Sequence, residues 1–239
     1  MAKKPKPLRL PLPKNSNQAH HAAHTAYIAA TGGGKTTAVK KLDLIQRGAQ
    51  VVFFDPYENY CRDKFKGQNV QRFTEFAPFA HALVSARKHK KGFKIALVKQ
   101  ATHSNLETFS SIVWSVGDGN KPLLNVVVEE LATCSETSAK LKGKSGELWR
   151  GGRQFGLVVH SMFQRMQEVP KTVSTQSPRW WVGGLSSSAD VEAISKARGV
   201  APDKLKNLKT AKQNNGIAQY LLIEEGIDNV KSGTVNCKN

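Results

Sequence analysis

Apolar positions along the chain fall into short blocks set between polar and glycine-rich stretches, and two periods alternate. Residues 25–30 are an apolar block read as a strand, and the run Gly32-Gly33-Gly34 follows. Ala38, Val39, Leu42 and Ile45 then recur at helical spacing and predict a helix over 35–47, stopped by Gly48. The same reading gives strands at 50–54, 93–98, 123–128 and 157–160, and helices at 76–88, 106–116 and 147–155. Further along it gives a strand at 179–182, helices at 189–198 and 204–209, and a strand at 217–224. Unbroken apolar runs such as 123–128 belong to strands covered on both faces, as in a parallel sheet. The alternation predicts an α/β fold with a mainly parallel central sheet flanked by helices. Residues 25–226 form this body, 1–24 a separate arm, and 227–239 a polar tail expected to lie at the periphery.

Composition adds a partner class. The 239 residues carry 36 Lys and Arg against 18 acids, a formal net charge of +18. Such a field attracts polyanions, nucleic acid first and anionic membrane surfaces second. No apolar run reaches the ~20 residues of a spanning helix, so a soluble protein is expected. Cys61, Cys134 and Cys237 are widely spaced and outside any C-x-x-C pattern, as expected of reduced thiols in a cytosol-like compartment. In the arm, Lys3, Lys4, Lys6, Arg9 and Lys14 alternate with Pro5, Pro7, Pro11 and Pro13, which predicts an extended interaction segment. His20 and His24 have the i, i+4 spacing of metal ligands, but no acid or thiol lies near them in sequence to complete a site. Three basic runs are candidate contacts to a phosphate backbone: Arg87, Lys88, Lys90, Lys91, Lys94 and Lys99; Lys140, Lys142 and Lys144; and Lys204, Lys206, Lys209 and Lys212. Trp180 and Trp181, inside a predicted strand, are read as packing.

The sharpest motif is Ala29-Ala30-Thr31-Gly32-Gly33-Gly34-Lys35-Thr36, a P-loop with alanine at its first glycine position. Its glycines let successive backbone N–H groups curl around phosphates, Lys35 supplies a charge to the same oxygens, and the Thr36 hydroxyl takes a place on Mg²⁺. Thr31, Gly32, Gly33, Gly34, Lys35, Thr36 and Thr37 are therefore the expected nucleotide-binding residues. A dinucleotide fingerprint fails, since G-x-G-x-x-G would need glycine where Thr37 stands. A P-loop ATPase also needs an acid at the tip of a buried strand, expected beside the P-loop strand, and 123–128 ends in Glu129-Glu130. Glu129 would serve the metal and Glu130 would polarise the attacking water as general base. Ser161, Gln164 and Arg165 follow the next strand, where a polar group can sense the γ-phosphate. Arg150 and Arg153, three apart, are placed to share a helix face as arginine fingers toward a neighbouring subunit.

With these residues in place, the chain resembles the FtsK/HerA superfamily of RecA-like DNA-pumping ATPases. The likeness is to the packaging ATPases of tailless icosahedral viruses with an internal membrane, of tectivirus and corticovirus type. It runs from Thr25 to Gly226 through the P-loop, Phe54-Asp55-Pro56, Val128-Glu129-Glu130, Gly152-Arg153-Gln154-Phe155-Gly156, Gln164-Arg165 and the 190–199 helix. The resemblance implies a trans-acting role for Arg153, γ-phosphate sensing by Gln164, ATP and Mg²⁺ as cofactors, and a homo-oligomeric ring threaded by double-stranded DNA. The usual threonine beside the sensing glutamine is displaced to Ser161. The resemblance further implies a virion-associated protein made in the host cytoplasm, with a portal-vertex or membrane protein of the virion as possible partner and no small-molecule substrate beyond ATP. A chain of this length leaves little room for the membrane and DNA-reading domains of chromosome-segregation motors. The alternative is a nucleotide- and nucleic-acid-binding structural or filamentous-phage assembly protein with weak or no ATPase activity.

Overall fold

The computed structural model describes residues 10–135, 140–226 and 229–238. Lys3, Lys4, Lys6 and Arg9 of the basic arm lie outside the described residues. Among the described residues nine strands form one sheet: β1 (Thr25–Ile28), β2 (Gln50–Phe54), β3 (Gln71–Phe73), β4 (Lys94–Leu97), β5 (Leu124–Val128), β6 (Leu157–Phe163), β7 (Arg179–Gly183), β8 (Ile217–Ile223) and β9 (Val230–Asn236). Their order across the sheet is β3-β4-β2-β5-β6-β1-β7-β8-β9. The first seven are mutually parallel, and β8 and β9 close one side as an antiparallel hairpin. The mainly parallel α/β architecture expected from the sequence is therefore present. All parallel strands end on one edge of the sheet, so the loops after β1, β2, β5, β6 and β7 share that edge.

The pleat divides the core in two. Ala26, Ile28, Val52, Phe54, Val126 and Val128 face one way, against α2 (Phe76–Ala86), α3 (His103–Ser115), α4 (Gly143–Gly151) and α6 (Ser188–Arg198). Tyr27, Val51, Phe53, Val127 and Trp181 face the other, against α1 (Lys35–Lys41) and the aromatic rings of Tyr60 and Phe65. Trp180 and Trp181 are both buried, one on each face, as packing residues. Two short helices, α5 (Lys171–Gln176) and α7 (Pro202–Lys206), complete the body. Among the described residues no helix is long and apolar enough to cross a membrane.

Several elements depart from the sequence reading. The helix after the P-loop stops at Lys41, because Leu42 is extended and its carbonyl accepts from Lys66 Nζ at 2.8 Å. Leu42, Leu44 and Ile45 still join the core, but from a turn. Strand β6 runs three residues past His160, which puts Ser161 inside the sheet instead of at a strand tip. The segment 227–239 is no polar periphery in its described part: β9 pairs with β8 along its length, and Val235 is buried. Ser232, Thr234 and Asn236 on its exposed face, and Lys231 and Gly233 on the face of Val235, conceal the strand period in the sequence. Residues 10–24 are likewise docked, with Lys14 N donating to Gly117 O at 3.0 Å and Asn17 N to Gln154 O at 2.8 Å.

Candidate active site

The turn after β1 is built so that only glycine fits. Gly32 and Gly34 have φ of 72° and 90°, and a Cβ on Gly33 would lie 2.6 Å from that of Ala29. Gly183, at the end of β7, approaches so closely that its own Cβ would meet Gly33 O at 2.9 Å. Ala30 N donates to Gly184 O at 2.9 Å, which anchors the turn to the neighbouring strand. Lys35 Nζ donates to Ala29 O at 2.6 Å and Ala30 O at 3.3 Å. Burial lowers the lysine's pKa, and the nearby Glu129 and Glu130 carboxylates raise it back in part.

The sequence places the acidic strand beside the P-loop strand; in the sheet, β6 lies between β5 and β1. The acid reaches the loop nonetheless. Thr36 Oγ1 donates to Glu129 Oε1 at 3.1 Å, a contact spanning 93 residues of sequence. Tyr60 OH donates to the same oxygen at 2.9 Å. Burial pushes the Glu129 carboxyl up to about 7, against the two hydrogen bonds that favour its charged form. Tyr60 is itself set by Asp55, whose carboxylate accepts from Asn59 N at 2.7 Å and Tyr60 N at 2.9 Å. Glu130 adopts the left-handed region at φ 51°, an uncommon conformation for a non-glycine residue and one that concentrates at functional sites.

The tip of β6 supplies Gln164, which accepts from Thr31 Oγ1 at 2.9 Å and so touches the P-loop directly. Ser161 does not share that role, because Trp149 Nε1 donates to its buried hydroxyl at 3.1 Å. Arg165 turns away toward Asp190 and Glu168, each at 3.6 Å.

Arg150 and Arg153 do not share one face. Arg150 lies in the last turn of α4 and donates to Glu147 Oε1 at 3.1 Å and to Leu141 O at 2.7 Å. Arg153 sits in the 3-10 turn before β6, where it donates to Gln18 O at 3.2 Å and His20 O at 2.5 Å. That turn precedes the start of a strand parallel to β1, whereas the P-loop follows the end of β1. Arg153 and its own P-loop therefore stand at opposite edges of the sheet, separated by the length of β6, roughly 20 Å.

The basic runs also divide. Arg87 is buried, donating to Gln50 Oε1 and to Pro122 O, and Lys94 is buried on the carbonyls of Arg47 and Ala49. These two are structural cations, and Lys88, Lys90 and Lys91 remain exposed. His24 is a core residue: its Nδ1 accepts from Val159 N at 2.9 Å, and its Nε2 lies 3.1 Å from Trp149 O.

A cavity of about 530 Å³ opens beside the P-loop, lined by residues 32–37 and by Ala211, Lys212, Gly216 and Cys237. Sequence reasoning took Lys212 for a DNA-backbone contact and Cys237 for a reduced thiol, and it missed Ala211, Gly216 and Tyr60. The Asp55-Pro56 strand end followed by aromatic residues was a signal for Tyr60. Nothing local marked residues 211–216 or 237 as part of this cavity.

Comparison with solved structures gives the same fold. The fold superposes on the genome packaging NTPase B204 of Sulfolobus turreted icosahedral virus 2, in complex with ATP-γS, with a TM-score of 0.67. That match covers 90% of this chain and 100% of the other at 13% identity. This is a P-loop NTPase fold. VirB4 of Thermoanaerobacter pseudethanolicus shares it with a TM-score of 0.59 over 98% of each chain, at 11% identity. In sequence, the chain is 26% identical over 190 residues to Protein P9 of Pseudoalteromonas phage PM2, covering 78% of this chain and 79% of that protein. No protein-family model matches the chain. The resemblance to viral packaging ATPases drawn from the motifs is thus met by similar proteins of viral origin.

Proposed function

We propose that the chain is an ATP-hydrolysing motor subunit that moves double-stranded DNA, acting in viral genome packaging. The observation that carries the reading is the hydrogen bond from Thr36 to Glu129. It joins the P-loop hydroxyl to the acid of a distant strand, and Gln164 contacts the same loop at Thr31. The hydroxyl and carboxylate are hard oxygen donors suited to Mg²⁺, which would be held by Thr36 and Glu129. Bound there, the ion would offset phosphate charge during transfer.

The chain's own groups supply the rest. Lys35 neutralises phosphate oxygens, Glu130 accepts the proton of the attacking water, and Gln164 contacts the terminal phosphate. Arg153 acts on the site of an adjacent subunit, a reading supported by its distance from its own P-loop. It implies an oligomer, read as a ring. The +18 charge and the exposed Lys88, Lys90, Lys91, Lys204, Lys206 and Lys209 support contacts to a DNA backbone. Similarity to a phage protein and a viral packaging NTPase supports association with a virion, where a portal or membrane protein is the expected docking partner.

The test is phosphate release with and without duplex DNA. A motor hydrolyses ATP faster with DNA, binds it without sequence preference, and loses affinity steeply as salt rises. Nucleotide binding with no turnover under any DNA condition would instead favour a structural nucleic-acid-binding protein.

A further inference from the structure

Arg87 caps the end of α2 and is buried, 2% exposed, yet its hydrogen-bond partners are all uncharged. Its Nε donates to Val116 O at 3.3 Å, and its Nη1 donates to Pro122 O at 2.8 Å and to Gln50 Oε1. Nη2 is buried as well and has no hydrogen-bond partner among the described residues. Burial lowers the guanidinium's pKa to about 10, and the nearby Asp118 carboxylate offsets this only in part. Two nitrogens thus serve the fold, and a third is left over on a cation short of counter-charge.

The same side chain lines a cavity of about 210 Å³, whose lining also includes Lys14, Lys88, Lys121, Asp118 and Val84. Cations outnumber acids there four to one. The acid is engaged already, since Asp118 Oδ1 accepts from Asn15 Nδ2 at 2.8 Å and from Asn120 N at 3.1 Å. The three lysines come from three segments: the docked arm, the end of α2, and the turn before β5. Gln50 begins β2 and Pro122 precedes β5, and both strands run parallel to β1. The cavity therefore stands at the sheet edge opposite the P-loop and is no part of the nucleotide site.

We propose that this cavity is a second anion site, and that it takes a free phosphate dianion. A planar carboxylate pairs best with two guanidinium nitrogens side by side, and here Nε and Nη1 are both committed. One spare nitrogen and lysines approaching from three segments suit the tetrahedral oxygens of phosphate instead. Two charges on one compact ion also balance this lining better than the single charge of a DNA phosphodiester. The proposal does not depend on the reading of the P-loop.

The experiment is lysine footprinting of the full chain, with acetylation rates read residue by residue by peptide mass spectrometry. It is run at constant ionic strength and about pH 8, where phosphate is mostly dianionic. Inorganic phosphate at ten times its dissociation constant should slow Lys14 and Lys88 roughly tenfold, and Lys90 and Lys91 less than about twofold. Lys35 reports the P-loop in the same spectra, so phosphate taken up there is read separately. Uniform slowing of every exposed lysine, or equal protection by acetate, would overturn the site. Protection that needs duplex DNA, with phosphate alone inert, would assign the cavity to a DNA backbone and overturn the proposal as well. Arg87→Gln should abolish the protection, but it also removes bonds that serve the fold. Val84→Glu is therefore the second variant: it sets a carboxylate among the same cations and leaves the Arg87 contacts in place. Folded Val84→Glu, checked by circular dichroism, should show less than about twofold protection of Lys14. Full protection in that variant would sink the site.

Discussion

Tyr60 and Glu129 meet through one hydrogen bond of 2.9 Å, phenol to carboxylate, with both side chains almost wholly removed from water. The phenol holds the acid that the Thr36 hydroxyl also contacts, so the Asp55 loop and the P-loop are coupled through one oxygen. Tyr60→Phe leaves the ring in place and removes the donor. The variant should lose about 1–2 kcal/mol of stability in denaturant titrations. It should also need more Mg²⁺ for half-maximal turnover, since Glu129 is then held by Thr36 alone.

Lys35→Ala and Glu130→Gln should fail differently. Loss of the lysine removes the side-chain cation from the phosphate loop, and ATP affinity and turnover fall together. Glu130→Gln should keep ATP binding and lower turnover by about 10²–10⁴, the usual contribution of a general base. Wild-type turnover in Glu130→Gln would remove Glu130 from that role.

The backbone at Glu130 gives a second test of the same residue. A non-glycine residue at φ 51° carries strain on the order of 1 kcal/mol, which glycine would relieve. Glu130→Gly should therefore leave the melting temperature unchanged or raised while abolishing turnover. A marked loss of stability would mean that the side chain, and not catalysis, keeps glutamate there.

If Arg153 acts in trans as proposed, Arg153→Ala subunits should bind ATP yet hydrolyse it poorly, because each would lack the guanidinium it offers to a neighbour's site. Mixed with Lys35→Ala subunits in co-purified assemblies, they should regain partial activity, since some interfaces then pair an intact P-loop with an intact arginine. No rescue at any ratio in verified mixed assemblies would make Arg153 a structural residue that holds residues 18–20.

Two buried histidines predict a pH dependence of folding. Burial lowers His24 to about 4 and His160 to about 3, below the ordinary 6.5, so unfolding takes up a proton at each between pH 6.5 and 4. Stability from these groups is complete above pH 6.5 and is lost as the pH falls. Glu129 acts oppositely, because its raised pKa of about 7 means the folded state holds the extra proton between pH 7 and 4.5. The net of these three groups is one proton, or about 1.4 kcal/mol per pH unit lost between 6.5 and 4.5 in metal-free protein in chelator, less what Asp55, also raised by burial, returns toward the acid end. Replacing His160 by glutamine should flatten that slope, as equilibrium unfolding at several pH values would show.

How far the sequence revealed this molecule depended on the range of the interactions involved. The P-loop and the strand ending in Glu129 were legible because each is a local pattern with a local physical cause, whereas Gln164 was singled out from Ser161 and Arg165 only by the family resemblance. Strand order was not. Nothing in residues 123–130 says that β6 will lie between them and the P-loop strand, and Ser161 was misplaced because β6 outruns its apolar run. Tyr60 and Cys237 reach the site through contacts distant in sequence, and β9 is an exposed hairpin edge with only a faint period. Lys94 and Arg87 resembled surface charge because lysine and arginine usually are, yet here each satisfies buried carbonyls.

The placement of β1 between β6 and β7 also sets an order of assembly. The strand that leads into the phosphate loop precedes the other eight strands in the chain, but Tyr27 finds its partner His160 only 133 residues later, and Lys41 meets Asn236 only after 195. A nascent chain emerging from a ribosome carries the glycine turn long before anything holds its shape. Non-local pairing of this kind folds late and slowly. A nucleotide at the proposed site would therefore stabilise, by mass action, chains whose later strands have already paired.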